Sequence, residues 1–246
     1  MKVAIVGYGK MGKQIEHLLK QENIIPVAII DKFSPLATHK EINRDSMKDV
    51  SIAIDFTSPE GFDENLNGYI KHGVSVVMGT TGWYDKLDEV KKKVGNSIGF
   101  IWSGNFSIGV NIFFKIVREA STIMNKFTQY DPFCFEIHHN EKIDSPSGTS
   151  MMIANIVKDE LERKNRIVTD KLDRRIEPDE IHSASIRGGK VPGTHSVSFD
   201  SAVDTIELKH TVRSREGLAE GAVFAAKWLN GKKGFYSIDD LMGSII

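Results

Sequence analysis

Short β-branched runs separated by helical stretches leave the N-terminal part of this chain very few folds to choose from. The runs are KVAIV (2–6), VAIID (27–31), SIAIDF (51–56), VSVVMG (74–79) and GFIWSG (99–104). They are apolar almost throughout rather than alternating with polar residues, so both faces of each strand must be covered. Helices in the connections can supply that cover. The first of them is visible as Met11, Ile15, Leu18 and Leu19, which recur at spacings of three and four. The pattern predicts a parallel sheet with helices on both sides, an α/β arrangement.

The first run stops at GYGKMG (7–12), a G-x-G-x-x-G set between a strand and a helix. Gly7 permits the tight turn, Gly9 lets the backbone approach a pyrophosphate, and Gly12 lets helix and strand pack closely. The helix N-terminus adds N–H groups and a partial positive charge for phosphate. Asp31 closes the second strand at the distance where a carboxylate can accept hydrogen bonds from an adenosine ribose. The bland alternative is a glycine-rich turn with an acidic loop residue, and the strand–turn–helix–strand context argues against it. GTTGW (79–83) and SGNFS (103–107) place small and hydroxyl residues at two further strand ends, where ligands of open α/β sheets lie. Ordinary turn chemistry explains either stretch alone equally well.

The rhythm changes after about residue 128. FCFEIHH (133–139) alternates, with Phe133, Phe135 and Ile137 on one face and Cys134, Glu136 and His138 on the other. A helical stripe follows through Met152, Ile153, Ile156, Val157 and Leu161. Residues 164–180 are polar and read as an irregular surface excursion. HSASIR (182–187), THSVSF (194–199) and DTIELKH (204–210) are strand candidates with no helix between them, which predicts a mixed or antiparallel sheet. GLAEGAVFAAKWL (217–229) returns to helix.

Within this second region, EIHHNEKIDSPSGTS (136–150) carries the densest chemistry. His138 and His139 start towards opposite faces, and a neutral imidazole both donates and accepts near pH 7. Lys142 brings a flexible cation suited to carboxylates or developing negative charge. Ser147 can cap the following helix, while N–H groups near Gly148 and Thr149 can bind an anion. A lone histidine is more often structural; the combination favours a site. Glu136, His138 and His195 or His210 can also be assembled as a metal site, but no H-E-x-x-H or Cys/His spacing supports one, so no metal is expected. Cys134 reads as a small buried residue and Lys91–Lys93 as a solvated helix face. Arg213 and Arg215 can pair with acids or bind a substrate carboxylate, with structural pairing favoured for Arg215.

A balance of 32 basic and 33 acidic residues gives no reason to expect nucleic acid or an anionic membrane as partner. The apolar run opening the chain is too short for a signal peptide, and one cysteine fits a reducing compartment, so a cytoplasmic protein is expected.

Together VAIVGYGKMG, IDFTSPEG, GTTGW, SGNFSIGVN, EIHHNEKIDSPSGT and EGAVFAAKWL make a chain that closely resembles the 4-hydroxy-tetrahydrodipicolinate (dihydrodipicolinate) reductases of lysine and diaminopimelate synthesis. The histidine–lysine–SGT segment is the most specific part. The chain departs from the pattern in its shorter glycine loop, in DSPSG where DAPSG is usual, and in PGTHSVSF where an acid often precedes the histidine. The resemblance implies a Rossmann-like nucleotide domain of residues 1–106 plus 216–246. A second α+β domain, 107–215, would bind substrate and assemble a homotetramer through its open mixed sheet. By the same resemblance His138 is the acid/base, Lys142 its partner proton donor, and His139, Gly148 and Thr149 contact the dicarboxylate substrate. Gly7, Tyr8, Gly9, Lys10, Met11 and Gly12, with Asp31, Gly79, Thr80, Thr81, Ser103, Gly104, Asn105 and Phe106, would line the site for NADH or NADPH. Asp31 followed by Lys32 predicts that NADH is used at least as well as NADPH. Two rival readings are a dinucleotide sensor without turnover, which has no need of His138, Lys142 and Thr149, and a semialdehyde dehydrogenase, which needs a reactive cysteine that Cys134 does not supply.

Overall fold

The computed structural model describes residues 1–214 and 216–245, so Arg215 lies outside the described residues. In chain order the first elements are β1 (Val3–Val6), α1 (Lys10–Gln21), β2 (Ala28–Ile30), β3 (Ile52–Asp55), α2 (Phe62–His72), β4 (Ser75–Met78), α3 (Leu87–Val94) and β5 (Gly99–Trp102). There follow α4 (Ile108–Met124), β6 (Asp131–His138), α5 (Gly148–Glu160), β7 (Arg166–Val168), β8 (Glu180–Arg187), β9 (Thr194–Asp200) and β10 (Thr205–Thr211). The last elements are α6 (Glu216–Leu229), β11 (Gly234–Ser237) and α7 (Ile238–Gly243). The chain forms two compact units, one of Met1–Asn111 with Glu216–Ile246 and one of Ile112–Arg215.

The first unit is built on a six-stranded sheet of order β11-β5-β4-β3-β1-β2, parallel at every pairing. β1 and β3 are wholly buried, as their unbroken apolar runs require. One face packs Ile5 and Ile54 against Ile15 and Leu19 of α1 and Ala222 and Ala226 of α6. The other packs Val6 and Val76 against Phe62, Leu66 and Tyr69 of α2 and Val90 of α3. α2 ends at Gly73, whose φ of 67° is cheap only without a Cβ. Small residues let α6 lie close: a Cβ on Gly221 would sit 1.7 Å from the carbonyl oxygen of Phe106.

The second unit has a five-stranded sheet of order β10-β9-β6-β8-β7, with β6 parallel to β8 and antiparallel to β9. The mixed sheet expected from the strand pattern is present. Its central strand places Cys134, Glu136 and His138 on the buried face, while Phe133 is 40% exposed on the other and Ile186 of β8 is 51% exposed. The polar side chains thus face inward and an apolar row faces out.

Two segments differ from expectation. Residues 164–180 are not wholly irregular: β7 pairs with β8, and buried Lys164 donates to the carbonyls of Pro178 and Glu180 at 2.9 Å each. After residue 229 the chain adds β11 to the edge of the first sheet and then α7, capped by a reciprocal Ser237–Asp240 box.

Gly221→Ala puts a methyl group where the Phe106 carbonyl already stands. Overpacking of this kind costs about 1–3 kcal/mol. The denaturant midpoint of the variant should fall accordingly; an unchanged midpoint would mean that α6 shifts freely.

Candidate active site

In the first unit the sequence-predicted residues gather at the carboxyl ends of neighbouring parallel strands, on one sheet edge. Gly7 holds φ +87°, and a Cβ there would lie 2.4 Å from the Phe56 carbonyl oxygen. A Cβ on Gly12 would lie 2.2 Å from the Gly7 carbonyl oxygen, so this glycine sets the helix–strand approach. At Gly9, the N-cap of α1, nothing lies within 4 Å of a Cβ and no side chain caps the helix. An open, uncapped helix start of this kind suits a pyrophosphate. Lys10 is exposed and Met11 half-buried beside it. Tyr8 is buried; its hydroxyl donates to Glu16, which pushes the phenol up to about 12.

Asp31 is held by the backbone around it. It accepts from the Tyr8 N–H at 2.6 Å, the Phe33 N–H at 2.8 Å and the Ser34 N–H at 2.7 Å. Burial works against its charge, but these three donors outweigh it and hold the carboxyl below its ordinary range. The carboxylate therefore ties the glycine loop to the loop after β2.

A second acid escaped the sequence reading. Asp55 is fully buried at the end of β3 and accepts from Tyr69 Oη at 2.7 Å, Thr57 Oγ1 at 2.7 Å, Thr80 Oγ1 at 3.1 Å and Asn65 Nδ2 at 3.1 Å. Burial raises its pKa in spite of these donors. The available signal was an acid closing the apolar run IAID. Thr80 turns inward to this carboxylate, whereas Thr81 is exposed. Gly79 presses on the Phe56 ring, 2.3 Å from where its Cβ would be. Ser103 Oγ donates to the Asn105 carbonyl at 2.8 Å and accepts from the Asn105 N–H at 3.0 Å, shaping the turn that exposes Gly104. Phe106 belongs to the apolar core, so only its backbone is available to a ligand.

In the second unit, strand register brings distant residues to one place. Glu136 pairs with Ser185 on β8 and His195 on β9; His195 pairs with His210 on β10, and His138 with Arg187 on β8. Glu136 has no exposed surface. Its Oε1 accepts from the Ser147 N–H at 2.8 Å, Arg187 Nη2 at 2.8 Å and Ser185 Oγ at 2.9 Å, and its Oε2 from the Ser147 hydroxyl. Burial opposes the charge, but donation from His195, Ser147 and Arg187 drives the carboxyl far below the usual range. Ser147 also caps α5, accepting from the Ser150 N–H at 3.1 Å. Gly148 is exposed on the first turn, with nothing within 4 Å of a Cβ position, and Thr149 is half-buried beside it.

His138 is 8% exposed. Its Nδ1 lies 3.2 Å from Glu136 Oε2, off the hydrogen-bond direction, and its ring meets His195 edge-on with centroids 5.1 Å apart. Burial lowers its pKa to about 4; Glu136 opposes the shift, while His195, Lys142 and Arg187 reinforce it. Gly193 makes room for the ring, since a Cβ there would stand 3.0 Å from His138 Nε2. Sequence reasoning missed Gly193, Arg187 and the part played by Glu136. His139 is half-buried, and Lys142 is held by Asp144 with Nζ–O distances of 2.7 and 2.9 Å. Cys134 is buried and its thiol is pushed up to about 12, consistent with an inert packing residue.

Ligand-type atoms of Glu136, His138 and His195 lie within 4.8 Å of one another. The carboxylate, however, already takes four hydrogen bonds and faces the Arg187 guanidinium at 2.8 Å. The set fits a charge network better than a cation.

Both halves of the chain match a described family: dihydrodipicolinate reductase, N-terminus, over residues 1–106, and dihydrodipicolinate reductase, C-terminus, over residues 109–242. A 4-hydroxy-tetrahydrodipicolinate reductase of Christiangramia forsetii is 37% identical, covering 100% of this chain and 99% of its own. One from Ralstonia pickettii is 33% identical, covering 99% of this chain and 100% of its own. Among solved structures, a dipicolinate-bound dihydrodipicolinate reductase from Paenisporosarcina sp. TG-14 shares the fold at a TM-score of 0.79 and 22% identity. That alignment covers 98% of this chain and 99% of the other.

The depressed His138 pKa makes stability depend on pH. An unfolded chain protonates this imidazole near its ordinary 6.5, the folded one only near 4. Its contribution is therefore complete above about 6.5 and is lost as pH falls towards 4. Glu136, with its lowered pKa, loses stability in the same direction at still lower pH. Denaturant midpoints should drop across that window, and His138→Gln should flatten the drop; an equal slope in the variant would contradict it.

Proposed function

The chain belongs to the dihydrodipicolinate reductase family, and from that premise we propose that it reduces 4-hydroxy-tetrahydrodipicolinate to tetrahydrodipicolinate in lysine and diaminopimelate synthesis. The carrying observation is one buried carboxylate, Glu136, that joins the strand of His138 to the capped helix start of Gly148 and Thr149. An acid/base and an anion clamp are thereby assigned to one small dicarboxylate ring.

A bound reduced nicotinamide dinucleotide supplies the hydride. Gly7, Gly9, Lys10 and Gly12 would take its pyrophosphate at the start of α1, and Asp31 its adenosine ribose. Thr80, Thr81, Gly104 and the Asn105 backbone would border the rest. The balance is one hydride and one proton in and one water out: the 4-hydroxyl leaves as water with a proton from C3, hydride adds to C4 of the unsaturated ring so formed, and the one proton discharges the resulting enamine charge. His138, with Nδ1 towards Glu136, exchanges the proton through Nε2, and Lys142 supports it. N–H groups of Gly148 and Thr149 hold one carboxylate, with His139 beside them. The Lys142–Asp144 pair opens or shares its ammonium when the substrate carboxylate arrives. Asp31 with Lys32 favours NADH use at least equal to NADPH. The outward apolar row of Phe133 and Ile186 is the face we assign to homotetramer assembly. No helix among the described residues is long and apolar enough to cross a membrane; the buried single cysteine and the reduced cofactor suit the cytoplasm.

The test is absorbance loss from NADH and NADPH with enzymatically generated substrate; no loss with either removes the proposal. His138→Gln should lower kcat by roughly 10²–10⁴-fold with little change in cofactor affinity. Pyridine-2,6-dicarboxylate should compete with substrate, and Thr149→Val should weaken it by about 1–2 kcal/mol. Unaltered inhibition in both Thr149→Val and Lys142→Ala would place the clamp elsewhere. Lys32→Ala should lower NADPH use relative to NADH, and an unaltered ratio would discard this account of the adenosine end.

A further inference from the structure

We infer that Glu136 is a positioning residue for the reaction: it orients the His138 imidazole and holds the Ser147–Thr149 turn at the same moment, so acid/base and anion clamp stay in mutual register. The inference rests on the reading of His138 as acid/base.

Three elements converge on this one side chain. Ser147, at the start of α5, donates through both its N–H and its hydroxyl. Ser185 and Arg187 donate from β8, and His195 Nε2 approaches from β9 to 3.5 Å. Arg187 extends the grip, because its Nη2 also donates to the Asp144 carbonyl at 2.5 Å. That carbonyl belongs to the loop carrying Lys142, so the clamp cation answers to the same carboxylate. Glu136 and His138 lie two apart on β6 and therefore share a face. A carboxylate 3.2 Å from an imidazole nitrogen favours the tautomer that keeps a proton on that nitrogen and stabilises the protonated ring through its charge, without itself taking the proton and without an aligned hydrogen bond.

A purely structural acid would be satisfied by any set of donors. This one is satisfied by the groups that shape the site, with His138 Nδ1 3.2 Å away and no aligned acceptor for that nitrogen among the described residues. The charged groups facing the imidazole are Glu136 on its own strand, Arg187 on β8, His195 on β9 and Lys142 on the following loop. They act in opposite senses: the carboxylate favours the imidazolium and the three others oppose it.

The experiment is a double-substitution cycle in the full chain, with kcat, KM and inhibitor binding followed across pH. Glu136→Gln should lower kcat on the order of 10²-fold and raise KM, because imidazole and clamp lose one tether together. In a His138→Gln background the same change should cost little further kcat while still raising KM. Losses in kcat that multiply fully would overturn the inference and leave the His138 reading intact. A silent His138→Gln removes both. The pH profile separates positioning from folding: Glu136→Gln should move the imidazole midpoint down and Arg187→Gln should move it up. Shifts of the same sign, or none, overturn the proposal. Should Glu136→Gln not fold, Arg187→Gln alone decides by the upward shift of the His138 resonance in an NMR titration, and its absence counts against the proposal.

Discussion

An ionised carboxylate with no exposed surface is costly unless every lone pair finds a donor. In the second unit, Glu136 meets that requirement only when β8, β9 and the start of α5 are all in their observed places. A slip of β6 by one residue would turn the side chain to the outer face and strand Arg187 without its acid. Charge therefore specifies the register of this sheet together with the apolar packing of Cys134, Val197 and Phe199 on the same face. Along β6 the inward face runs from Pro132 and Cys134 to the polar Glu136 and His138, while Phe133, Phe135 and Ile137 point the other way.

The first unit uses the same device at Asp55. A buried acid closes β3, gathers hydroxyls from Thr57, Thr80 and Tyr69, and so fixes two loops that follow adjacent strands. Loops at strand ends have little apolar surface with which to order themselves. A shared buried carboxyl group orders them while leaving Thr81, on the outer side of the second loop, exposed. Asp31 braces the glycine loop in the same manner, through backbone donors alone.

How far the sequence could be read follows from the range of the interactions. The parallel sheet was legible because covered strands must be apolar throughout, and GYGKMG because its glycines sit at fixed short spacings between a strand and a helix, as Gly12 against the Gly7 carbonyl shows. The histidine–lysine–serine segment was visible for the same reason: its members are neighbours in sequence. Ser185, Arg187 and Gly193 were not visible, since they reach Glu136 and His138 through pairings about fifty residues apart in sequence. β7 was missed because its three residues sit in a polar stretch and are held by the buried ammonium of Lys164 rather than by an apolar pattern. β11 is short and half-exposed, and its partner strand β5 lies far upstream, so no local periodicity announced it.

The first unit is written in two pieces, with the second unit between them. Ala219, Ala222 and Ala226 of α6 cover a sheet face whose strands, apart from the edge strand β11, are all made before residue 103. On the ribosome, at roughly 5–20 residues per second, those strands wait for more than a hundred residues before their cover is synthesised. The inserted unit has all its own strands by then and can close first. The order of manufacture thus runs opposite to the order of reading: what begins earliest is finished last, and its bare sheet must be shielded meanwhile by its own α1 or by a chaperone.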